Sequence, residues 1–193
     1  MPYLTPPVLP AGTLARTVQP TIVSGDGLLL RPWREGDAPA VFEAFQDPLM
    51  HQWHIRAADS VDEVRGWIAE WQAAWAGERN AQWAVADAAS GRLLGRVALR
   101  DVLLGDGVAE VAYWTVAAAR GRGVAARATE ALARWAFDEV GLHRLQLTHA
   151  VANTASCRVA ERAGFVLEGV KRSALRHADG WHDMHLHARL SGD

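Results

Sequence analysis

The sequence has one cysteine, Cys157, so no intramolecular disulfide framework can hold the fold, and the chain suits a reducing compartment. No apolar run approaches the roughly 20 residues of a membrane span, and residues 1–20 lack the basic start and apolar centre of a secretory signal. There is no basic excess either. Lys and Arg total 20 against 22 Asp and Glu, a formal charge of −2, which leaves nothing to displace the counterions of a nucleic acid as an obligate partner. Internal repeats and low-complexity segments are absent. The chain's one glycine turn among arginines has no Lys-Ser/Thr pair after it and no GxGxxG, which removes the nucleoside-triphosphate and dinucleotide loops. What remains at 193 residues is one domain with a full core, expected to be soluble and cytoplasmic, without membrane or nucleic-acid partners.

The stretch that organises the rest is Val108 to Ala126, VAEVAYWTVAAARGRGVAA. Its first half clusters β-branched and aromatic residues at Val108, Val111, Tyr113, Trp114, Thr115 and Val116, and reads as a strand. Arg120-Gly121-Arg122-Gly123 follows, then the helix-forming run VAARATEALARWAFDEV. That order points free N–H groups, at the positive end of a helix, toward whatever lies above the turn. Glycine leaves the approach open, because a Cβ would hold a ligand's oxygens off the backbone. A phosphate or pyrophosphate is the matching guest; a basic turn that caps an ordinary helix is the plainer alternative.

Upstream, residues 1–24 hold five of the eight prolines (Pro2, Pro6, Pro7, Pro10, Pro20) and read as an extended arm, draped over the domain or a partner, or disordered. The domain is expected over 25–193. Leu28 to Pro32 reads as a strand, and a helix is expected from Ala38 to Gln46, stopped by Asp47-Pro48 with a loop after it. Ser60 and Glu63 form a capping box for a helix reaching about Ala76, along which Val64, Trp67, Ile68, Trp71 and Trp75 make an apolar stripe. That stripe reads as core, with one or two of the chain's nine tryptophans available to an acceptor pocket. Asn80 to Asp87 and Arg92 to Asp101 form a hairpin, with Leu93, Val97 and Leu99 expected on one face and Arg96 and Arg100 on the other. After the organising stretch, Gly141 ends its helix and His143 to His149 is a strand. Asn153 opens a short helix that Gly164 stops, and Phe165 to Val170 and Trp181 to Leu190 close the chain as strands.

Several of these pieces share one resemblance. Arg120-x-x-Gly123-x-Ala125 resembles the acyl-CoA loop, (Gln/Arg)-x-x-Gly-x-(Gly/Ala), of the GCN5-related N-acetyltransferases (GNAT). The strand EVAYWTV, that loop, Asn153-Thr154-Ala155-Ser156 and Gly164-Phe165 resemble in order the RimJ/RimL type of ribosomal-protein alanine N-acetyltransferase; LLLRPWREGDA near the start is also similar. The resemblance covers about residues 27–190. It implies an α/β (α+β) fold with a mixed, mostly antiparallel V-shaped sheet, flanked by helices, whose two central parallel strands splay apart. Those strands would be 108–116 and 143–149, with a bulge in the first freeing N–H donors at Trp114, Thr115 and Val116. It also implies acetyl-CoA as cosubstrate, its pyrophosphate over Arg120, Gly121, Arg122, Gly123, Val124, Ala125 and Ala126.

For the remaining candidates a bland reading stands beside the functional one. Asn153 is an N-cap, a cofactor contact, or both. Ser156 is a solvated helix residue or, as the resemblance implies, the donor to the departing CoA thiolate, since other branches of that family place a tyrosine nearby and none follows Tyr113 here. Glu110, charged in an apolar strand, is a salt-bridged structural residue or the base that takes the amine's proton through water. His51 and His54 read as loop residues that could line the acceptor pocket. His182 lies on the opposite strand face from His185 and His187, so no three-ligand face forms and no metal is expected. Cys157 reads as a buried structural thiol. The expected activity is acetyl transfer to a primary amine: a protein N-terminus, or a small amine such as an antibiotic or polyamine. A non-catalytic acyl-CoA-binding module is the alternative, and a homodimer is possible.

Overall fold

The computed structural model describes residues 4–193; Pro2 of the arm lies outside the described residues. Eight strands form one sheet in the order β1-β2-β3-β4-β5-β6-β8-β7. The strands are β1 (Ile22–Val23), β2 (Leu28–Pro32), β3 (Ala81–Asp87), β4 (Leu93–Leu103), β5 (Val108–Thr115), β6 (Arg144–Ala150), β7 (Val166–His177) and β8 (Gly180–Leu190). Every neighbouring pair is antiparallel except β5 and β6 at the centre. Those two run parallel through only Val108–Arg144, Ala109–Leu145 and Glu110–Gln146, then part. The V-shaped sheet with splayed central strands is the fold found.

Helices cover both faces. On one side α1 (Ala38–Phe45) and α3 (Val61–Ala73) bury Phe45, Val64, Trp67 and Ile68 against Trp33 and Trp114. On the other, α4 (Val124–Trp135) lays Val124, Ala128 and Leu132 on Trp83, Val97, Leu99 and Val111, and α5 (Thr154–Arg162) adds Ala160. Local chemistry sets the element ends. The Ser60 hydroxyl accepts the Glu63 N–H at 3.1 Å, while the Glu63 carboxylate takes the N–H of Asp59, one residue earlier than an ideal capping box, at 2.8 Å. Within LLLRPWREGDA, Arg31 makes a buried two-pronged ion pair with Asp37, whose carboxylate also accepts the Arg34 N–H.

Two expectations need correction. Asp47-Pro48 does not only stop α1; it starts α2 (Pro48–Trp53), where a loop was expected. Asp47 Oδ1 accepts the Leu49 N–H at 2.9 Å, and proline fits the first helical position because its missing N–H is not needed there. The register of β3 and β4 shifts between Val85 and Ala86, which moves Leu93 to the opposite face from Val97 and Leu99.

The proline-rich arm lies along the domain. Val8 donates to Gly105 O at 2.9 Å, and the indoles of Trp75 and Trp83 donate to the carbonyls of Thr17 and Pro20. One carboxylate holds three successive anchors: Glu78 accepts the N–H groups of Gly12, Leu14 and Ala15 at 2.6, 2.7 and 3.0 Å. Leu14 is buried in the main core beside Trp75.

Candidate active site

After β5 a short 3-10 turn leads to Gly123, the N-cap of α4. Gly121 and Gly123 have φ of +74° and +71°. The turn itself therefore asks for glycine, since an L side chain in that region costs about 1–2 kcal/mol. Two further features point beyond a plain cap. Among the described residues, the N–H groups of residues 121–126 have no acceptor; the Arg127 N–H is the first to bond, to Gly123 O at 3.0 Å. A Cβ placed on Gly121 would meet nothing within 4 Å. A row of amide donors at the positive end of a 12-residue helix thus faces open space, which fits an anionic pyrophosphate. Arg120 is already engaged in an ion pair with Asp47 at 2.6 Å, so it braces the turn against α2. Arg122 is exposed and has no carboxylate partner among the described residues. Arg127, which the sequence reading did not single out, stands beside Gly123 and pairs with Asp26 at 3.1 Å.

The gap between β5 and β6 exposes a second set of donors. Trp114 pairs with Arg96 of β4, and the Val116 N–H donates to Leu94 O at 3.0 Å. Antiparallel strands alternate their N–H directions residue by residue. The amides of Trp114 and Val116 are therefore engaged by β4, and those of Tyr113 and Thr115 turn toward the gap. Nor is there a bulge at this point: the β4–β5 register is unbroken from Gly95–Thr115 to Arg100–Glu110 and shifts only between Arg100 and Leu103. Divergence from β6 alone frees the donors. Gly95 is what permits so close a ladder here, because a Cβ on it would collide with the Trp114 carbonyl.

A cleft of about 750 Å³ passes this gap. Its walls combine Trp53, His54 and Arg56 after α1, Trp67 and Trp71 of α3, and Glu110 of β5. His51 is not part of it. Glu110 is half-buried, and that burial raises its carboxyl pKa, with Arg100 and Lys171 pulling it back. No ion pair holds it among the described residues, so the salt-bridged reading of Glu110 lacks its partner. Burial, then the charges of Arg96, Arg56 and Arg100, push His54 down to about 4, which keeps its imidazole neutral near pH 7.

At the other end of the cleft, Asn153 Oδ1 accepts the Ser156 N–H at 3.1 Å, so the N-cap role of Asn153 is filled. The Ser156 carbonyl accepts the Tyr113 hydroxyl at 3.3 Å, and both residues line the cleft. Burial pushes the Tyr113 phenol up to about 12.

The acetyltransferase (GNAT) domain family matches residues 27–166. The chain belongs to that family. It is an acyltransferase by that membership, and it is similar to a Bacillus subtilis protein named "Probable N-acetyltransferase YjcK", 31% identical over 142 residues that make up 72% of this chain and 78% of that one. It is also similar to the Escherichia coli ribosomal-protein-serine acetyltransferase, 34% identical over 82 residues, 42% of this chain and 46% of that protein. A RimL ribosomal L7/L12 alpha-N-protein acetyltransferase in complex with coenzyme A shares the fold with a TM-score of 0.80 at 21% identity, covering 90% of this chain and all of that one. The Escherichia coli relative supports the RimJ/RimL-type branch, and the RimL structure shows the shared fold.

Two features of this acetyltransferase's cleft were not singled out from its sequence. In the sequence Tyr113 is one strand residue among several; its alternation with Trp114 is the signal that its hydroxyl crosses to the α5 side. For Arg96 the sequence predicts a strand face and no contacts. Its Nε donates to Gln82 Oε1 at 2.6 Å and its guanidinium lies 5.6 Å from the Trp71 ring. No carboxylate pairs with it among the described residues, and burial, followed by the charges of Arg100 and Arg56, pulls it down to about 9. The histidines also divide differently. His149, His185 and His187 gather with Cys157 beneath α5, and His182 joins His177 and Asp179 at the β7–β8 turn. No helix among the described residues is long and apolar enough to cross a membrane.

Proposed function

We propose that this GNAT enzyme transfers an acetyl group from acetyl-CoA to the α-amino group of a peptide or protein chain. The observation that carries the reading is the position of Glu110, an unpaired carboxylate in the cleft on the strand whose Tyr113 and Thr115 amides face the splay. Acetyl-CoA supplies the activated acyl group, and the amides of residues 121–126 are the donors suited to its pyrophosphate. Glu110 takes a proton from the ammonium through water, leaving a lone pair to form the N–C bond. The Tyr113 and Thr115 amides meet the carbonyl oxygen as its charge grows. Ser156 donates a hydrogen bond to the sulfur as the C–S bond breaks, and the amine's second proton leaves with the thiolate.

Arg96 of β4 pairs with Trp114, four residues along β5 from Glu110, and with Arg56 it gives the cleft positive charge away from that carboxylate, while Arg100 faces Glu110 directly. An acceptor with both an amine and an anionic group answers both ends. A peptide with an acidic residue near its N-terminus does so; a small amine bearing a carboxylate or phosphate is the second reading, favoured by the same arginine. Acetyl-CoA turnover, followed as free thiol, over peptides with acidic and neutral second residues and over amino acids, aminophosphates and polyamines tests this. Turnover confined to polyamines sinks the peptide reading. No turnover with any amine, despite CoA binding, favours the non-catalytic module.

A further inference from the structure

We propose that His149, His185, His187 and Cys157 form a site for a zinc-like divalent cation that clamps the start of α5 to β6 and β8. The proposal is independent of the acceptor and of the transfer reaction. His149 faces His185 across the β6–β8 register, and Leu147 faces His187, so all three imidazoles stand on the face that α5 covers. Helix α5 brings Cys157 to them. One ligand atom from each residue lies within 4.8 Å of the other three. Strand-by-strand reading could not find this set, because it draws on three elements and β8 alone supplies two of the four.

The hydrogen-bond pattern around the rings asks for a cation. His149 Nδ1 lies 2.9 Å from Ala150 O, and His187 Nδ1 lies 3.4 Å from Phe165 O. The Ala150 carbonyl only accepts, so His149 Nδ1 carries that ring's hydrogen and its Nε2 presents a bare lone pair to the cluster; the longer His187 contact leaves that ring free to turn a lone pair the same way. Yet the two Nε2 atoms face each other at 3.2 Å. Opposed lone pairs at that distance repel unless a positive ion lies between them. A proton would satisfy that pair alone; a metal also takes in the Cys157 sulfur, which otherwise donates to Glu161 Oε1 at 3.5 Å, and His185, whose Nδ1 is buried without a partner. Carbonyl acceptors behind ligating histidines are the usual outer support of a metal site, fixing tautomer and ring angle.

Three imidazoles and a thiolate suit Zn²⁺, which takes four N and S ligands, and do not suit the oxygen-seeking Mg²⁺ or Ca²⁺. On binding, the Cys157 S–H bond breaks, the sulfur's electron pair goes to the metal and the proton to solvent, with no change of oxidation state. Cys157 follows Ser156 directly, and His149 lines the cleft. The ion would therefore fix the end of α5 that presents Asn153 and Ser156.

The test uses the full chain, stripped with a chelator and titrated with Co²⁺ as a coloured stand-in, then with Zn²⁺ against a chromophoric chelator. Expected are one ion per chain, a tetrahedral cobalt spectrum with a thiolate charge-transfer band, and displacement of cobalt by zinc. Cys157→Ser should erase that band. His185→Gln should weaken zinc binding by more than the roughly 10–100-fold that loss of an outer partner costs. His187 is almost fully buried and its replacement can unfold the chain, so these two less buried positions are used, with circular dichroism confirming fold first. His182→Gln, in the separate cluster at the β7–β8 turn, should leave binding unchanged. Full-strength binding in Cys157→Ser and His185→Gln, loss of binding in His182→Gln, or no binding by folded wild-type protein each overturns the proposal.

Discussion

Glu110 and Arg100 stand opposite each other in the β4–β5 register, yet their side chains make no ion pair; Arg100 lies 3.9 Å from Asp101 instead. A carboxylate that is half-buried and unpaired has a raised pKa, and removing its charge removes no structural bond. Glu110→Gln should therefore leave the melting temperature unchanged or slightly higher at neutral pH, while kcat/KM falls by roughly 10²–10⁴. The sign with pH follows from the two groups that titrate. Below the raised Glu110 value the wild type is itself without its base, and well above it the amine is neutral unaided. The ratio of wild-type to variant activity should thus peak between these limits and fall toward about pH 9. A flat ratio from about pH 6 to about pH 9 would assign Glu110 no part in proton transfer.

For the glycine turn, Gly121→Ala is the cleaner probe than a branched residue at Gly123. Both positions have positive φ, but a Cβ on Gly121 meets no protein atom within 4 Å. The fold should lose only about 1–2 kcal/mol, the strain of the left-handed region. CoA affinity by calorimetry should fall well beyond that, because the methyl group enters the space above the free amides. Equal small losses in stability and in affinity would leave the glycines a purely conformational role.

Ser156 and Tyr113 can be separated by which kinetic constant moves. Ser156→Ala should lower kcat with acetyl-CoA affinity nearly unchanged, when chemistry limits the rate. Tyr113→Phe removes a hydroxyl bonded to the Ser156 carbonyl, worth about 0.5–1.5 kcal/mol of stability. If kcat drops more for Tyr113→Phe than for Ser156→Ala, the phenol and not the serine is the donor to sulfur.

The arm's attachment should depend on pH through Glu78. Burial raises its carboxyl pKa, but the N–H groups of Ala15, Gly12 and Leu14 outweigh that, and the net value is lowered. A lowered folded-state pKa means the stabilisation is complete above the unfolded value, about 4.5, and is lost as pH falls through the folded one. At neutral pH Glu78→Gln should cost about 2 kcal/mol, the scale of a charge-assisted hydrogen bond at a partly exposed site. It should also expose the arm to limited proteolysis. The difference from wild type in urea titrations should shrink on acidification below about pH 4; a constant difference would mean that Glu78 does not hold the arm through its charge.

Periodicity and capping made most elements legible: α3 from Ser60 and its apolar stripe, α4 from the glycine turn, α5 from Asn153. What escaped depends on partners distant in sequence. Asp47-Pro48 carries both a stop and a start signal, and it acts as both, with Asp47 capping α2 while it pairs with Arg120 some seventy residues on. The parity of free amides on β5 is set by its register with β4, which no spacing within β5 reveals. Leu93 changes face because one extra residue of β4, Leu94, is inserted against the Val85–Ala86 step of β3. The histidine cluster needs β6, β8 and α5 together. The acyl-CoA loop was legible because its whole mechanism, amides at a helix start, lies in one continuous segment.

The three residue pairs that join β5 to β6 have a mechanical consequence. Strands β1 to β5 form one plate and β6 to β8 another, and the backbone stitches them along a single short seam. Above the seam, the Tyr113 and Thr115 amides sit in the middle of the molecule without the ladder that protects their neighbours. In native-state hydrogen exchange they should trade with solvent quickly while Trp114, between them, stays slow. A ligand lying in that gap would behave as the absent strand, and the two plates would then open and close as one.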